Sequence, residues 1–414
     1  MKIGKKACIL IIIVVCAVFI FFKGGTLLTG LFVGTPATPA TKIGVIMPRP
    51  GNSSSVIGYR NDIIKNALET SVQSYSSNAE NNGISLIYRY YDYPLGAWDD
   101  SYVPGLEDSY HNVTSEGAKI ILFMGESSGY EKIMTLCEND RTILISPTVG
   151  WSWHDFDDVP IDYSFRVRDW YISPAEILAE IIRNRFNISS AVAFYQDSPY
   201  ETQTDGYISA IIFKQSFEKV GGKVIGIYDY IGTGFNISGI EDVIKTQRPQ
   251  AAFFSSTFGS GAFDIIREIK NSDPETKFFM SLYSFPNRSI DSGAEGLTFV
   301  SFGIGVDGAK ESIYSDYVAL SMEILEKSLA DCGENAECIR EELHTKEFDT
   351  RIGKVRFREK GSIIMPYQLK QVGDTGYVNL FQYNLIDDPN FSENLNITCR
   401  NYFSEIPRYS ICDR

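Results

Sequence analysis

The sequence predicts an α/β protein in which a parallel-sheet unit occurs twice. Three observations predict it. From Lys42 onward, short β-rich runs alternate with amphipathic helical stretches, the pattern of parallel strands joined by crossover helices. After four strands the pattern starts again. The third strand of each unit also runs directly into a Ser/Gly loop that leads to a helix.

Taken in order, Lys42–Met47 reads as the first strand, followed by a Gly/Ser/Pro loop and a helix from about Tyr59 to Ser77. Ile84–Tyr91, Lys119–Met124 and Thr142–Ser146 are the next three strands. The second unit contributes Ser190–Tyr195, Lys223–Tyr228, Ala251–Ser255 and Lys277–Ser281, with a helix capped at Ser173-Pro174 leading into it. Leu297–Phe302 is strand-like, and Tyr314–Leu329 is helical. In the two Ser/Gly loops, Gly125-Glu-Ser-Ser128-Gly and Ser255-Ser-Thr-Phe-Gly-Ser260-Gly, hydroxyls and free helix N–H groups collect at strand carboxyl ends, where an anionic ligand group is favoured.

The first 41 residues differ in kind. Ala7–Phe22 is an unbroken apolar run preceded by Lys2, Lys5 and Lys6 and closed by Lys23. Sixteen helical residues reach about 24 Å, and Leu27, Leu28, Leu31 and Phe32 extend the apolar part. The basic residues precede the run, so the positive-inside rule sends the rest of the chain outward. Residues 1–33 are therefore expected to be an uncleaved membrane anchor, with a cleaved signal peptide as the competing reading. Residues 34–41 form a Thr/Pro linker, a stalk between membrane and domain.

Composition agrees with export. The chain has a net charge of −14, and because the anchor holds four lysines and no acid, the remainder carries 34 basic against 52 acidic residues. That balance argues against nucleic acid and against anionic lipid as partners. Asn-x-Ser/Thr triplets stand at Asn52, Asn112, Asn187, Asn236, Asn287, Asn390 and Asn396, seven among 20 asparagines. Ordinary Ser/Thr frequency predicts about two or three, so a glycosylated outer surface is expected. Cys332/Cys338 and Cys399/Cys412 are short-range pairs that an oxidising compartment closes, while Cys137 reads as a buried free thiol. The histidines, His111, His154 and His344, lie at no ligand spacing from a cysteine pair, so no metal is expected.

Two catalytic-looking patterns have plainer readings. Gly125-Glu-Ser127-Ser-Gly129 matches the nucleophile elbow, yet the histidines that follow, His154 and His344, come too soon or fall in a charged helical stretch, and no oxyanion loop is evident. Gly303-Ile-Gly-Val-Asp-Gly308 matches a dinucleotide fingerprint at the wrong place in the unit, and the acids at the required distance, Glu323 and Glu326, read as solvated helix residues. Neither an enzyme nor a cofactor is expected.

A further set of short motifs occurs in order: Ile43-Gly-Val-Ile-Met-Pro48, Gly125-Glu-Ser-Ser128, Ile145-Ser-Pro147, Phe165-Arg166, Ala294-Glu-Gly296, Phe348-Asp349, Gly353-Lys-Val-Arg-Phe357 and Pro366-Tyr-Gln-Leu-Lys-Gln-Val372. Together they resemble the type 1 periplasmic binding proteins, typified by the leucine/isoleucine/valine-binding protein of branched-chain amino-acid ABC transporters. The resemblance implies two Rossmann-like lobes joined by three crossovers and closing on a small ligand. It places lobe I at about 42–162 and 287–350, lobe II at about 163–286 and 351–384, and leaves 385–414 as a cysteine-containing tail.

By the same resemblance, Ser127, Ser128, Thr148 and Val149 would hold a ligand carboxylate, and Tyr200 would be the aromatic after the first strand of lobe II. The acid that pairs with a ligand ammonium in amino-acid binders falls near Ser260, where this chain has none before Asp264. The expected function is a membrane-anchored, extracellular or periplasmic solute-binding protein. It would capture a small polar molecule and deliver it to an ABC permease. A ligand-sensing receptor domain of the same fold is the alternative, and a secreted hydrolase using Ser127 a third reading.

Overall fold

A computed structural model of the chain describes residues 40–50, 61–77, 83–92, 105–125, 127–150, 160–168, 172–195, 205–229, 237–255, 266–271, 273–281, 294–302, 312–374 and 376–387. Two parallel sheets organise them. The first has five strands: β1 (Thr41–Pro48), β2 (Ile84–Tyr91), β3 (Ile120–Phe123), β4 (Ile143–Ser146) and β5 (Ser164–Arg166), in the order β2-β1-β3-β4-β5. The sequences of β3 and β4 are almost wholly apolar because both faces of the sheet are covered. Register aligns Val45 with Leu122, Leu122 with Ile145 and Ile145 with Phe165, a fully buried row across the sheet. On the opposite face Ile46, Ile121, Phe123 and Leu144 pack with residues of helices α2 (Leu106–Ser115) and α3 (Ser127–Asp140).

The second sheet has seven strands. They are β6 (Ser190–Tyr195), β7 (Lys223–Asp229), β8 (Ala251–Ser255), β9 (Lys277–Ser281), β10 (Thr298–Phe302), β14 (Tyr367–Val372) and β15 (Tyr377–Tyr383), ordered β15-β14-β10-β9-β8-β6-β7. From β7 to β10 every pairing is parallel; β14 and β15 add antiparallel at one edge. Helices α4 (Ile172–Asn184) and α5 (Asp205–Lys219) pack on one face, with the Phe213 ring stacked on Phe253 at 4.0 Å. Ile240 and Ile244 of α6 (Ile237–Gln247) and Ile266 and Ile269 of the helical stretch 266–271 cover the other.

Read from its second strand, each parallel set runs 2-1-3-4-5: β2-β1-β3-β4-β5 and β7-β6-β8-β9-β10. The repeat expected from the sequence is therefore a repeat of topology. Helix α1 (Asn61–Ser76) packs against α7 (Ser312–Cys332), and α8 (Ala336–Thr345) contacts β4, so the chain returns to the first unit after β10. A three-stranded antiparallel sheet of β11 (Phe348–Thr350), β12 (Gly353–Phe357) and β13 (Ile363–Ile364) follows before the chain enters β14.

The structure differs from the sequence reading at several points. Thr298–Phe302, allotted by resemblance to lobe I, pairs with Lys277–Ser281 and closes the second parallel set. Ser164–Arg166, allotted to lobe II, pairs with β4 in the first sheet. The helix expected to be capped at Ser173 already begins at Ile172, and the Ser173 hydroxyl accepts a bond from Arg358. Glu323 and Glu326 are partly buried on α7 rather than solvated, because that helix packs against α1. Cys332–Cys338 is a disulfide joining α7 to α8, with Cα atoms 5.5 Å apart, and Cys137 is a buried free thiol as expected. Asn112 and Asn187 are exposed.

Among the described residues no helix is long and apolar enough to cross a membrane. The expected anchor (1–33), most of the linker (34–41), the tail beyond Asp387 with Cys399 and Cys412, the triplets at Asn52, Asn236, Asn287, Asn390 and Asn396, and the fingerprint at 303–308 lie outside the described residues.

Candidate functional site

In a 2-1-3-4-5 parallel sheet the strand order reverses between strands 1 and 3, and ligands bind beyond the carboxyl ends at that switch point. Here the switch points fall between β1 and β3 and between β6 and β8. The segments leaving β3 and β8 are the two Ser/Gly loops singled out from the sequence. Ser127 and Ser128 open α3 directly after β3, so the helix N-terminus faces the first switch point. Tyr200 follows β6 and Ser260 follows β8; both lie outside the described residues, although Tyr195 and Ser255 place the ends of their strands.

The exits of β3 and β4 are laced together. Main-chain N–H of Met124 donates to Ile46 at 2.9 Å, and the Ser146 hydroxyl donates to the Phe123 carbonyl at 3.0 Å. The Thr148 hydroxyl donates to the Gly125 carbonyl at 2.6 Å, which commits its single proton. Thr148 and Val149 are both buried, and the Val149 N–H donates to the Ser146 hydroxyl at 3.4 Å. A side chain at Gly125 would lie 2.1 Å from the Phe123 ring and 2.5 Å from the Tyr91 hydroxyl, so the loop can approach β3 this closely only as glycine.

Beyond β5 lies a group of buried charges that the sequence reading did not identify as a site. Arg166, fully buried, donates its main-chain N–H to the Gly361 carbonyl at 2.7 Å and its Nη2 to the Lys360 carbonyl at 3.2 Å, with its guanidinium 5.9 Å from the Tyr130 ring centroid. Arg168 donates through Nη1 to the Thr148 carbonyl and lies 5.2 Å over the Tyr314 ring of α7. Arg358 donates to Glu176 at 2.7 Å and to Ser173 at 3.0 Å, both on α4. These three arginines join the three passages of chain between the sheets: Arg166 links the first to the third, Arg168 the first to the second, and Arg358 the third to the helix that follows the first. Gly361, at φ 71°, is required there, since a Cβ would stand 2.1 Å from the Ser164 carbonyl oxygen.

Among the described residues no histidine is placed beside the start of α3 to serve Ser127 as a base. His344 packs on the Phe165 ring at 4.9 Å, and its Nε2 lies 2.9 Å from the Asp162 carbonyl oxygen. Asp162 precedes β5, so this imidazole contacts the amino edge of the sheet, a strand's length or roughly 13 Å from the carboxyl edge where Ser127 stands. His154 lies outside the described residues. Among the described residues no cluster of three His, Cys, Asp or Glu side chains is placed to hold a metal.

No protein-family model matches the chain, and no curated protein matches it in sequence. Solved structures do. A protein from Rhodospirillum rubrum described as a branched-chain amino acid ABC transporter superposes with a TM-score of 0.65 at 14% identity, covering 82% of this chain and 100% of that one. An ABC transporter substrate-binding protein from Desulfitobacterium hafniense in complex with Leu gives 0.59 at 17% identity, covering 82% and 100%. An ABC transporter solute-binding protein from R. palustris in complex with benzoate gives 0.54 at 15% identity, covering 83% and 96%. The chain shares the fold of these ABC transporter solute-binding proteins, the type 1 periplasmic binding protein fold expected from its motifs.

Proposed function

We propose that this chain is a solute-binding protein held at the outer face of a membrane by residues 1–33, which captures a small polar molecule and presents it to an ABC permease. The observation that carries the reading is the duplicated switch point: two parallel sets of strands of the same order, each with a hydroxyl-rich sequence after its third strand. Similarly folded proteins include binders of leucine and of benzoate, which share a carboxylate. Ser127, Ser128 and the main chain at Thr148 and Val149 would hold that group, with Tyr200 and Ser260 closing over it from the second unit. Binding would act by lobe closure, with no covalent chemistry. A carboxylate without an ammonium fits the second loop, which holds no acid before Asp264.

A thermal-shift screen of the purified chain against amino acids, amides, short peptides and aromatic carboxylates tests this. A ligand at 100 times its dissociation constant stabilises the native state by about 2.7 kcal/mol through mass action. Saturable upward shifts that vanish in a Ser127→Ala/Ser128→Ala variant support the reading. A panel with no saturable shift refutes it, and turnover of simple esters lost in Ser127→Ala would restore the hydrolase.

A further inference from the structure

The Thr148–Val149 segment, expected to cradle the ligand, is bound to something outside its own sheet. Its Thr148 carbonyl accepts from Arg168, on the first passage between the sheets. The same guanidinium lies over Tyr314, in the first turn of α7, where the chain re-enters the first unit. Arg168 is 7% exposed and Tyr314 8%, so the contact is shielded from water, where a cation over an aromatic face is strongest. Arginine suits the task because its planar fork donates in the plane of the guanidinium while the flat face stacks; a lysine ammonium does either less well.

We infer that Arg168 is a positioning residue for ligand capture, locking the Thr148–Val149 segment to the head of α7 so that the cradle keeps its shape only while the first and second passages stay docked. The inference rests on the binding reading above for its function, but the mechanical link stands on its own geometry. Because Thr148 and Tyr314 lie 166 residues apart in the chain, a change at one is felt at the other through Arg168. That distinguishes a link from a local packing role.

The test uses the full chain and the variants Arg168→Gln, Arg168→Lys and Tyr314→Leu. Hydrogen exchange followed by mass spectrometry is read in the ligand-free state on peptides covering 144–150, 312–320 and, as controls, β1 and β6. Tyr314→Leu should speed exchange in 144–150 at least tenfold. Arg168→Gln should do so in both segments, and neither variant should change the controls. Arg168→Lys should recover part of the protection, and the double variant Arg168→Gln/Tyr314→Leu should be no faster than the worse single variant, as for two ends of one link.

Calorimetric titration with leucine and with benzoate follows. Whichever binds the wild type should bind Arg168→Gln at least tenfold more weakly and Arg168→Lys within about threefold of wild type. If neither binds the wild type, the thermal-shift panel judges the binding reading while the exchange data still judge the link. Equal acceleration of every peptide, or 144–150 exchange unchanged in Tyr314→Leu, overturns the inference.

Discussion

Removing the carboxylate of Glu176 should destabilise the protein far more than removing any surface acid. Glu176 and Arg358 meet at 2.7 Å with side chains 6% and 7% exposed. Taking one partner from a buried pair leaves an uncompensated charge in a low-dielectric interior and costs about 3–5 kcal/mol. In Glu176→Gln, Arg358 keeps the Ser173 hydroxyl at 3.0 Å, a neutral acceptor, so the lower half of that range applies. Replacing both residues, as in Glu176→Leu/Arg358→Met, removes the charge with its partner and should fall within about 1 kcal/mol of wild type or above it. The assay is urea unfolding followed by far-ultraviolet circular dichroism, at low salt and at 0.5 M NaCl. Since the pair is buried, salt should change the Glu176→Gln effect little. An internal standard is Lys65→Met, which breaks an exposed i,i+4 pair with Glu69 at 3.8 Å and should cost no more than about 0.5 kcal/mol. If Glu176→Gln costs as little as Lys65→Met, or if the double variant is worse than the single one, the reasoning about this pair is wrong.

Three further outcomes follow from the same packing. Burial on α7, and next the charge of Glu323, raise the Glu326 carboxyl from 4.5 to about 7. A folded value above the unfolded one means stability is lost as pH rises from 4.5 through 7. Glu326→Gln should therefore add about 1–2 kcal/mol at pH 8, after discounting for solvent screening, and nothing at pH 4.5, read by urea unfolding at both values. Gly361→Ala forces a Cβ against the Ser164 carbonyl at a positive φ and should cost about 3 kcal/mol or prevent folding, whereas Gly333→Ala, with open space around it, should cost about 1 kcal/mol. Cys137 is buried and its thiol is pushed well above its ordinary value by burial, then by Glu138 and Asp140; mass mapping after iodoacetamide should find it unmodified in the native protein and alkylated in 8 M urea.

The sheets were legible because their strands are buried on both faces. Runs such as Ile120–Phe123 and Ala251–Ser255 are apolar and too short for a buried helix, and their spacing reveals the duplication. The antiparallel strands were harder. Tyr367–Val372 mixes Gln and Lys with apolar residues and has a register shift at Leu369/Lys370, so it stood out as a motif and not as a strand. The resemblance allotted β10 to lobe I while the strand pairs with β9, and its sequence holds no sign of this because hydrophobic pattern tells that a strand exists, not which sheet it joins. Of the site, the Ser/Gly loops were visible as local patterns. The arginine lacing was not, since Arg358 and Glu176 lie 182 residues apart. No local signal marked the pair either: Glu176 shares a helix face with Glu180, Arg183 and Asn184 and reads as part of a solvated stripe, although it is buried.

That lacing constrains how the two units can move. A buried guanidinium is costly to strand, so the contacts of Arg166, Arg168 and Arg358 resist any motion that slides one passage along another. Shear between the sheets would break the Arg166 bond to Lys360 and the Arg358 bond to Glu176 together. Rotation about the laced region breaks neither, because each contact lies at the passages themselves, where a small angular change moves atoms little. Closure of a cleft between the switch points is therefore expected to be a hinge, with its axis through the arginines, and the Thr148–Val149 segment sits beside that axis through Arg168.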